Sequence, residues 1–175
     1  MFFEMIAVIV AGFAGAGLAL ILAKASGGRL PRWLIPVAAG AAMIAMAIFN
    51  EYDWYPRTVA GLPEGVEVVV TAEESALWRP WTLVAPFTSR FIAVDTQSLR
   101  ALPGAGEGAA PLRVIDIFAF ARWQPTRALR VAVDCAGGRR ADIGPEVAIT
   151  DQGLTGATFR PMGADDPVVA ATCAL

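Results

Sequence analysis

The side chains able to do acid–base, nucleophilic or metal chemistry are of a narrow kind in this 175-residue sequence. There are sixteen carboxylates and two cysteines, histidine is absent, and lysine occurs once, at Lys24. Without imidazole there is no histidine general base, no imidazole-held haem or copper, and little scope for zinc. Ser75, Ser89 and Ser98 therefore have no histidine to activate them, and no G-x-S-x-G motif is present. Carboxylate pairs do occur, such as Asp134 with Asp142 across an expected hairpin, or Asp165 with Asp166. With 15 acids beyond residue 50 such pairs arise by chance, and they are expected to be solvated side chains facing arginines. Asp165 and Asp166 also lack the ligand spacing of a calcium loop. The stretch 104–111 (GAGEGAAP) has the glycine spacing of a phosphate loop but no Gly-Lys-Ser/Thr. No catalytic, cofactor or metal site is expected. Trp78, Trp81 and Trp123 suit either a sugar- or partner-binding platform or a core or membrane-facing position.

The elements that must carry these residues fall into two materials. The chain is 56% apolar and only 17% charged, but the excess is concentrated near the N-terminus. Residues 5–23 carry no charge over 19 positions, and residues 33–49 carry none over 17. At about 1.5 Å per residue each is near the length of a roughly 30 Å hydrocarbon core. Pro36 lies in the first turn of the second segment, where its missing N–H costs little. The sequence Ala23-Lys24-Ala25 looks like a cleavage site. However, the N-terminus has no basic region, Glu4 is acidic, and the apolar run exceeds the roughly 7–15 residues of a signal peptide. A helical transmembrane hairpin over residues 1–50 is the expectation, with a loop at 24–32. Lys24, Arg29 and Arg32 make that loop wholly positive, which places it in the cytoplasm. The N-terminus and everything after residue 50 then lie in the periplasm of a bacterial inner membrane. Trp33 marks one lipid–water interface; Tyr52, Trp54 and Tyr55 mark the other, within an interfacial linker at 51–62.

Ala7, Ala11, Gly15, Ala19 and Ala23 recur every four residues and give the first span a smooth stripe. Such stripes let helices approach closely in lipid. The stripe either faces the second span, which offers Ala38, Ala41, Ala42 and Ala45, or docks on another membrane subunit. Neither span holds a charged residue, which argues against an ion or proton path.

Residues 63–175 read as a small, mostly antiparallel β domain. Strands are expected at 66–71, 91–95, 113–123, 128–135, 139–143, 147–150 and 154–159. Turns are expected at Gly137-Gly138 and at 151–153. A short helix closes the chain: Asp165 or Asp166 caps it, Pro167 takes the first turn, and residues 168–173 follow. The fold class is thus α + β. Residues 50–175 hold 11 arginines against the 15 acids, a negative balance without a basic stripe, so nucleic acid is not an expected partner. Both cysteines lie in the part assigned to the outside, where an oxidising periplasm would pair Cys135 with Cys173. Their loop predicts about 4 kcal/mol on the chain-entropy model. With no C-x-x-C, a redox role is not the expectation.

The order Phe91-Ile-Ala-Val-Asp95, Ser98-Leu99-Arg100, a glycine turn, 114–120, Val133-Asp134-Cys135, a turn at Gly153 and a closing Asp-Asp-Pro…Cys173 resembles the surface-adhesin-protein-E-like domains of Gram-negative envelope proteins. The resemblance covers roughly 90–175. It implies a small sheet with packed helices and a disulfide, and no enzymatic activity. Members of that family are usually secreted or lipid-anchored, so the two-span anchor here is a departure that leaves adhesion unimplied. The expected partners are the lipid bilayer and other membrane-protein subunits, as for a non-catalytic accessory or scaffold subunit. The alternative is a stand-alone envelope protein that binds a periplasmic ligand through its sheet.

Overall fold

The computed structural model describes residues 2–103, 110–150, 153–163 and 165–175. The glycine-rich stretch 104–109 and the turn residues 151–152 lie outside the described residues. The chain divides into two units, Met1–Thr58 and Val59–Leu175.

The first unit holds α1 (Phe2–Ala25) and most of α2 (Leu34–Ala60). Both helices are long and apolar enough to cross a membrane and are compatible with a membrane anchor. α1 stops where Gly27 and Gly28 adopt positive φ, 67° and 79°. There the Gly28 N–H reaches back to the Ala23 carbonyl (3.0 Å), satisfying a carbonyl left over at the helix end. Within the unit, the small-residue stripe lies against α2. A Cβ at Gly15 would sit 2.7 Å from the Ala38 carbonyl oxygen and 2.7 Å from the Ala42 Cβ, so only glycine permits this approach. Ala19 is buried on the same side, while Phe13, Leu18, Ile21 and Leu22 are exposed, as residues facing lipid would be. Arg57 closes the open end by bridging to Glu4 (3.0 Å) and, one turn back, to Asp53 (3.6 Å). α2 runs on to Ala60, so residues 51–60, expected as a linker, are helical.

The second unit is built on a six-stranded antiparallel sheet. Its strands are β1 (Val66–Glu74), β2 (Phe87–Leu102), β3 (Leu112–Ala121), β4 (Arg127–Asp134), β5 (Arg139–Ile143) and β8 (Arg160–Pro161), side by side in that order. A separate ribbon of β6 (Ala148–Thr150) and β7 (Gly153–Thr155) interrupts the meander. A four-residue helix, α3 (Trp81–Val84), sits between β1 and β2, and α4 (Pro167–Ala174) ends the chain.

Register fixes the faces, because side chains alternate strictly along a strand. Val94 pairs with Ile117, Ile115 with Val131, and Arg113 with Val133, so these share one face. α4 packs on that face with Val168 and Val169 over Val94, Ile115, Ile117, Val131 and Val133. Phe91 and Phe120, a pair on the opposite face, stack with ring centroids 4.5 Å apart.

Three local differences from the sequence reading have clear causes. The β4–β5 turn spans four residues, 135–138, rather than two, because the Asp134 carboxylate accepts the Ala136 and Gly137 N–H groups and organises a wider turn. β3 ends at Ala121 rather than at 123, because Trp123 turns into the left-handed region (φ 69°). The 154–159 strand shortens to Gly153–Thr155, and β8 pairs instead with Arg139 and Arg140.

α4 is held at both ends. Asp166 Oδ1 accepts from Val168 N (3.1 Å) and Val169 N (3.0 Å), and Pro167 follows at the first helical position. At the other end, Arg113 donates to the Thr172 carbonyl (2.7 Å), and a disulfide joins Cys173 to Cys135 across a sequence separation of 38. Cys135→Ser with Cys173→Ser is expected to cost the full-length protein about 4 kcal/mol. Urea unfolding in detergent, followed by far-UV circular dichroism, measures this. A midpoint that does not move would show that α4 stays docked without the link.

Candidate functional site

Three of the β domain's carboxylates, Asp116, Asp134 and Asp166, meet arginines. Asp116 on β3 lies opposite Arg130 on β4, and the guanidinium grips it with two bonds, Nε to Oδ1 (2.6 Å) and Nη2 to Oδ2 (2.9 Å). That hydrogen bonding holds the Asp116 carboxyl below the usual carboxylate range and raises the Arg130 guanidinium above its ordinary value. Asp134 is buried and takes two bonds from Arg139 (3.0 and 2.6 Å) besides the turn N–H groups. Its carboxyl is likewise held low, chiefly by the Arg139 hydrogen bond and then by the Gly137 N–H. Asp142 pairs with Val131 and Asp134 with Arg139. The expected Asp134–Asp142 pair is therefore split across the two faces of the sheet.

The serines are structural as well. Ser98 Oγ donates to the Asp95 carbonyl (2.7 Å) and accepts the Asp116 N–H (2.8 Å), filling the break in the β2–β3 ladder between Asp95 and Arg100. Ser89 Oγ donates to the Ala72 carbonyl (3.4 Å), and Ser75 is exposed. Among the described residues no group of three His, Cys, Asp or Glu lies together in a way that could hold a metal ion.

The unit does leave surface open. α4 has eight residues, about 12 Å of helix, and lies across β1, β3 and β4 at one end of the sheet face only. Beyond it the same sheet face continues through Ile92, Ala119, Ala121, Val70 and Ala72, forming a groove of about 330 Å³. Ala119 and Ala121 make a low floor on β3. Arg90 lies across from Ala121 on one neighbouring strand, and Arg127 lies across from Ala119 on the other. Two guanidiniums thus flank an apolar floor, and neither has a hydrogen-bond or ion-pair partner among the described residues. This arrangement accepts an apolar group that carries negative charge.

The β3–β4 turn follows directly, at residues 122–126. Trp123 is 55% exposed and holds a left-handed backbone, which costs a bulky residue on the order of 1–3 kcal/mol. Arg122 stacks over its ring, with the guanidinium carbon 4.3 Å from the centroid.

Comparison of the chain with protein-family models, with curated proteins and with solved structures gives no match. The reading of the surface therefore rests on its own geometry. None of Trp78, Trp81 and Trp123 belongs to the core: Trp78 is 78% exposed and Trp81 39%. They do not gather into a single platform in sequence or fold, since Trp78 and Trp81 flank the start of α3 while Trp123 sits on the β3–β4 turn. Lys24, Arg29 and Arg32 are exposed around the α1–α2 loop, with Trp33 exposed at the start of α2 and Tyr52, Trp54 and Tyr55 half-buried near its other end. The groove has only a faint trace in sequence: an alternating strand with alanine at 119 and 121 between arginine-bearing neighbours.

The lowered carboxyls make stability depend on pH. A carboxyl whose folded pKa lies below its unfolded value of about 4 stabilises the fold above that unfolded value. The contribution is lost as pH falls through the folded value. The Asp116–Arg130 pair is half exposed and adds no more than about 1 kcal/mol. Asp134, buried and bonded to backbone N–H groups, adds roughly 1–3 kcal/mol. Thermal midpoints are expected to hold from pH 7 to 5 and to fall below about pH 4. Asp134→Asn should lower the midpoint at pH 7 and flatten that acid decline. An equally steep decline in the variant would assign it to other groups.

Proposed function

We propose that this protein is a non-catalytic inner-membrane protein, an accessory or scaffold subunit of a larger membrane complex. α1 and α2 are its membrane anchor, the 24–32 loop is cytoplasmic, and the β domain lies in the periplasm. The observation that carries the reading is the part of the α4-bearing sheet face that α4 leaves open. A groove of about 330 Å³ with an apolar floor, flanked by two arginines that are unpaired among the described residues, is a surface prepared for a partner rather than for chemistry. Two further features support it. Asp116 and Asp134 are engaged by Arg130 and Arg139. Trp123, strained and exposed, is stacked on by the half-buried Arg122 beside the groove, an aromatic–cation pair of the kind enriched at protein interfaces. The positive loop and the disulfide support the topology. Kinship with surface-adhesin-protein-E-like domains over roughly 90–175 belongs to the same proposal. A sheet closed by a short helix and a terminal disulfide supports it.

Extraction from native membranes in mild detergent, followed by native mass measurement, is expected to give a species heavier than one chain. Arg90→Glu with Arg127→Glu should release the monomer while leaving the fold intact. A wild-type chain that runs only as a free monomer would refute the subunit reading. For the topology, alkaline phosphatase fused after residue 60 should be active, and fused at residue 28 it should be silent. The reverse pattern would invert the assignment.

A further inference from the structure

The segment 75–86, SALWRPWTLVAP, joins β1 to β2 and has an inverted burial pattern. Its polar threonine is buried, with the small Ala76, and its large apolar residues are the exposed ones. Thr82 is 0% exposed, while Leu77 is 84% exposed, Trp78 78%, Leu83 55% and Val84 89%. A disordered loop would not bury a hydroxyl in this way.

Thr82 is the centre of a hydrogen-bonded knot. Its Oγ1 accepts the Ala76 N–H (2.9 Å) and donates to the Arg79 carbonyl (2.8 Å). Its N–H donates to the same Arg79 carbonyl (2.8 Å), and the Arg79 N–H donates to the Ala76 carbonyl (2.9 Å). Ala85 N–H then closes α3 onto the Trp81 carbonyl (3.0 Å). Pro80 and Pro86 stiffen both sides of the helix. The knot satisfies the backbone at the base and fixes four apolar side chains outward, an arrangement that an aqueous surface disfavours by removing nothing from water.

We propose that residues 77–84 are a third membrane contact of this protein, a preorganised knob whose Leu77, Trp78, Leu83 and Val84 side chains enter the lipid–water interface of the bilayer. The inference rests on the reading of α1 and α2 as membrane-spanning. Three observations select lipid as the occupant. Tryptophan flanked by aliphatic residues is the composition of interfacial belts. From Ser75 to Val94 the chain carries Arg79 and Arg90 and no acid, in a region that is otherwise net negative, so the segment suits an anionic headgroup layer. The segment begins fourteen residues after α2, at the end of 61–74, a tether of at most roughly 50 Å at full extension, so it is covalently tied to the anchor through β1 alone.

The test uses the full-length chain in nanodiscs of phosphatidylethanolamine and phosphatidylglycerol. Leu77→Cys and Val84→Cys each receive a nitroxide, with Cys135 and Cys173 left in their disulfide, and the exposed Thr158→Cys serves as reference. The ratio of oxygen to nickel-chelate accessibility is expected to be several-fold higher at 77 and 84 than at 158. Thr82→Val, which keeps the shape and removes the hydroxyl, should lower the ratio at both sites while far-UV circular dichroism stays unchanged. Ratios at 77 and 84 equal to that at 158 overturn the proposal. So does shielding from both reagents in native membranes combined with water accessibility in nanodiscs, which would assign the knob to a protein partner. An unchanged ratio in Thr82→Val overturns the role of the knot. Native mass reads the subunit proposal separately, so either can fail alone.

Discussion

The β domain depends on one short contact: Val168 and Val169 of α4 set down on the valine and isoleucine floor of β2, β3 and β4. An antiparallel sheet buries one face or loses the greater part of its driving force. On the face that carries Ile115 and Ile117 an eight-residue helix does so, while Phe91, Ala93, Val114 and Ala132 are buried on the other face. Such a helix has little stability of its own, since isolated helices shorter than roughly 12–15 residues are marginal in water. Its position is therefore enforced from outside. Asp166 caps its first turn, Arg113 takes the carbonyl of Thr172, and Cys173 is bound to Cys135. The three fasteners come from the loop before the helix, from β3 and from the end of β4, so the helix cannot tilt without breaking one of them.

The same economy explains what is left open. A helix this short covers Ile115 and Ile117 but stops before Ala119 and Ala121, two and four positions further along the same strand. Small side chains at those positions keep the uncovered floor low, which limits the apolar area exposed to water and leaves room above it. Larger residues there would either fill the groove or expose a patch prone to aggregation. Alanine at both positions, between strands that carry Arg90 and Arg127, is therefore what shapes the groove.

Much of the architecture is legible in the sequence because it follows from periodicity and from residues with strong local preferences. Two charge-free runs give the helices, β-branched alternation gives β1 to β5, and Asp166-Pro167 announces α4. What is not legible depends on side chains that act across the chain. Asp134 widens its own turn by accepting two backbone N–H groups, so Gly137-Gly138 alone misleads. Ser98 extends β2 well beyond Asp95 by replacing a lost ladder bond from its side chain. The pairing of Asp116 with Arg130 and of Asp134 with Arg139, rather than with another acid, is a matter of register, which alternation suggests but does not number. Tryptophan is the least legible of all. Trp78, Trp81 and Trp123 are the residues that composition would most readily bury, yet none is in the core.

Those tryptophans share a physical logic that burial statistics hide. Each is held outward by backbone that the protein has stabilised at some expense. Trp78 and Trp81 ride on the Thr82 knot, which takes a hydroxyl fully out of water to hold the loop together. Trp123 sits in a left-handed conformation that glycine would adopt without strain. A polar group is buried only when its bonds are met, and strain persists only where the surroundings over-determine it. Both conditions hold here, in two places distant in sequence, and both serve to present an indole to the outside. In a domain with no histidine and no lysine, whose Asp116 and Asp134 are held by Arg130 and Arg139, the tryptophans are thus placed by backbone bonding and strain rather than by packing into the core.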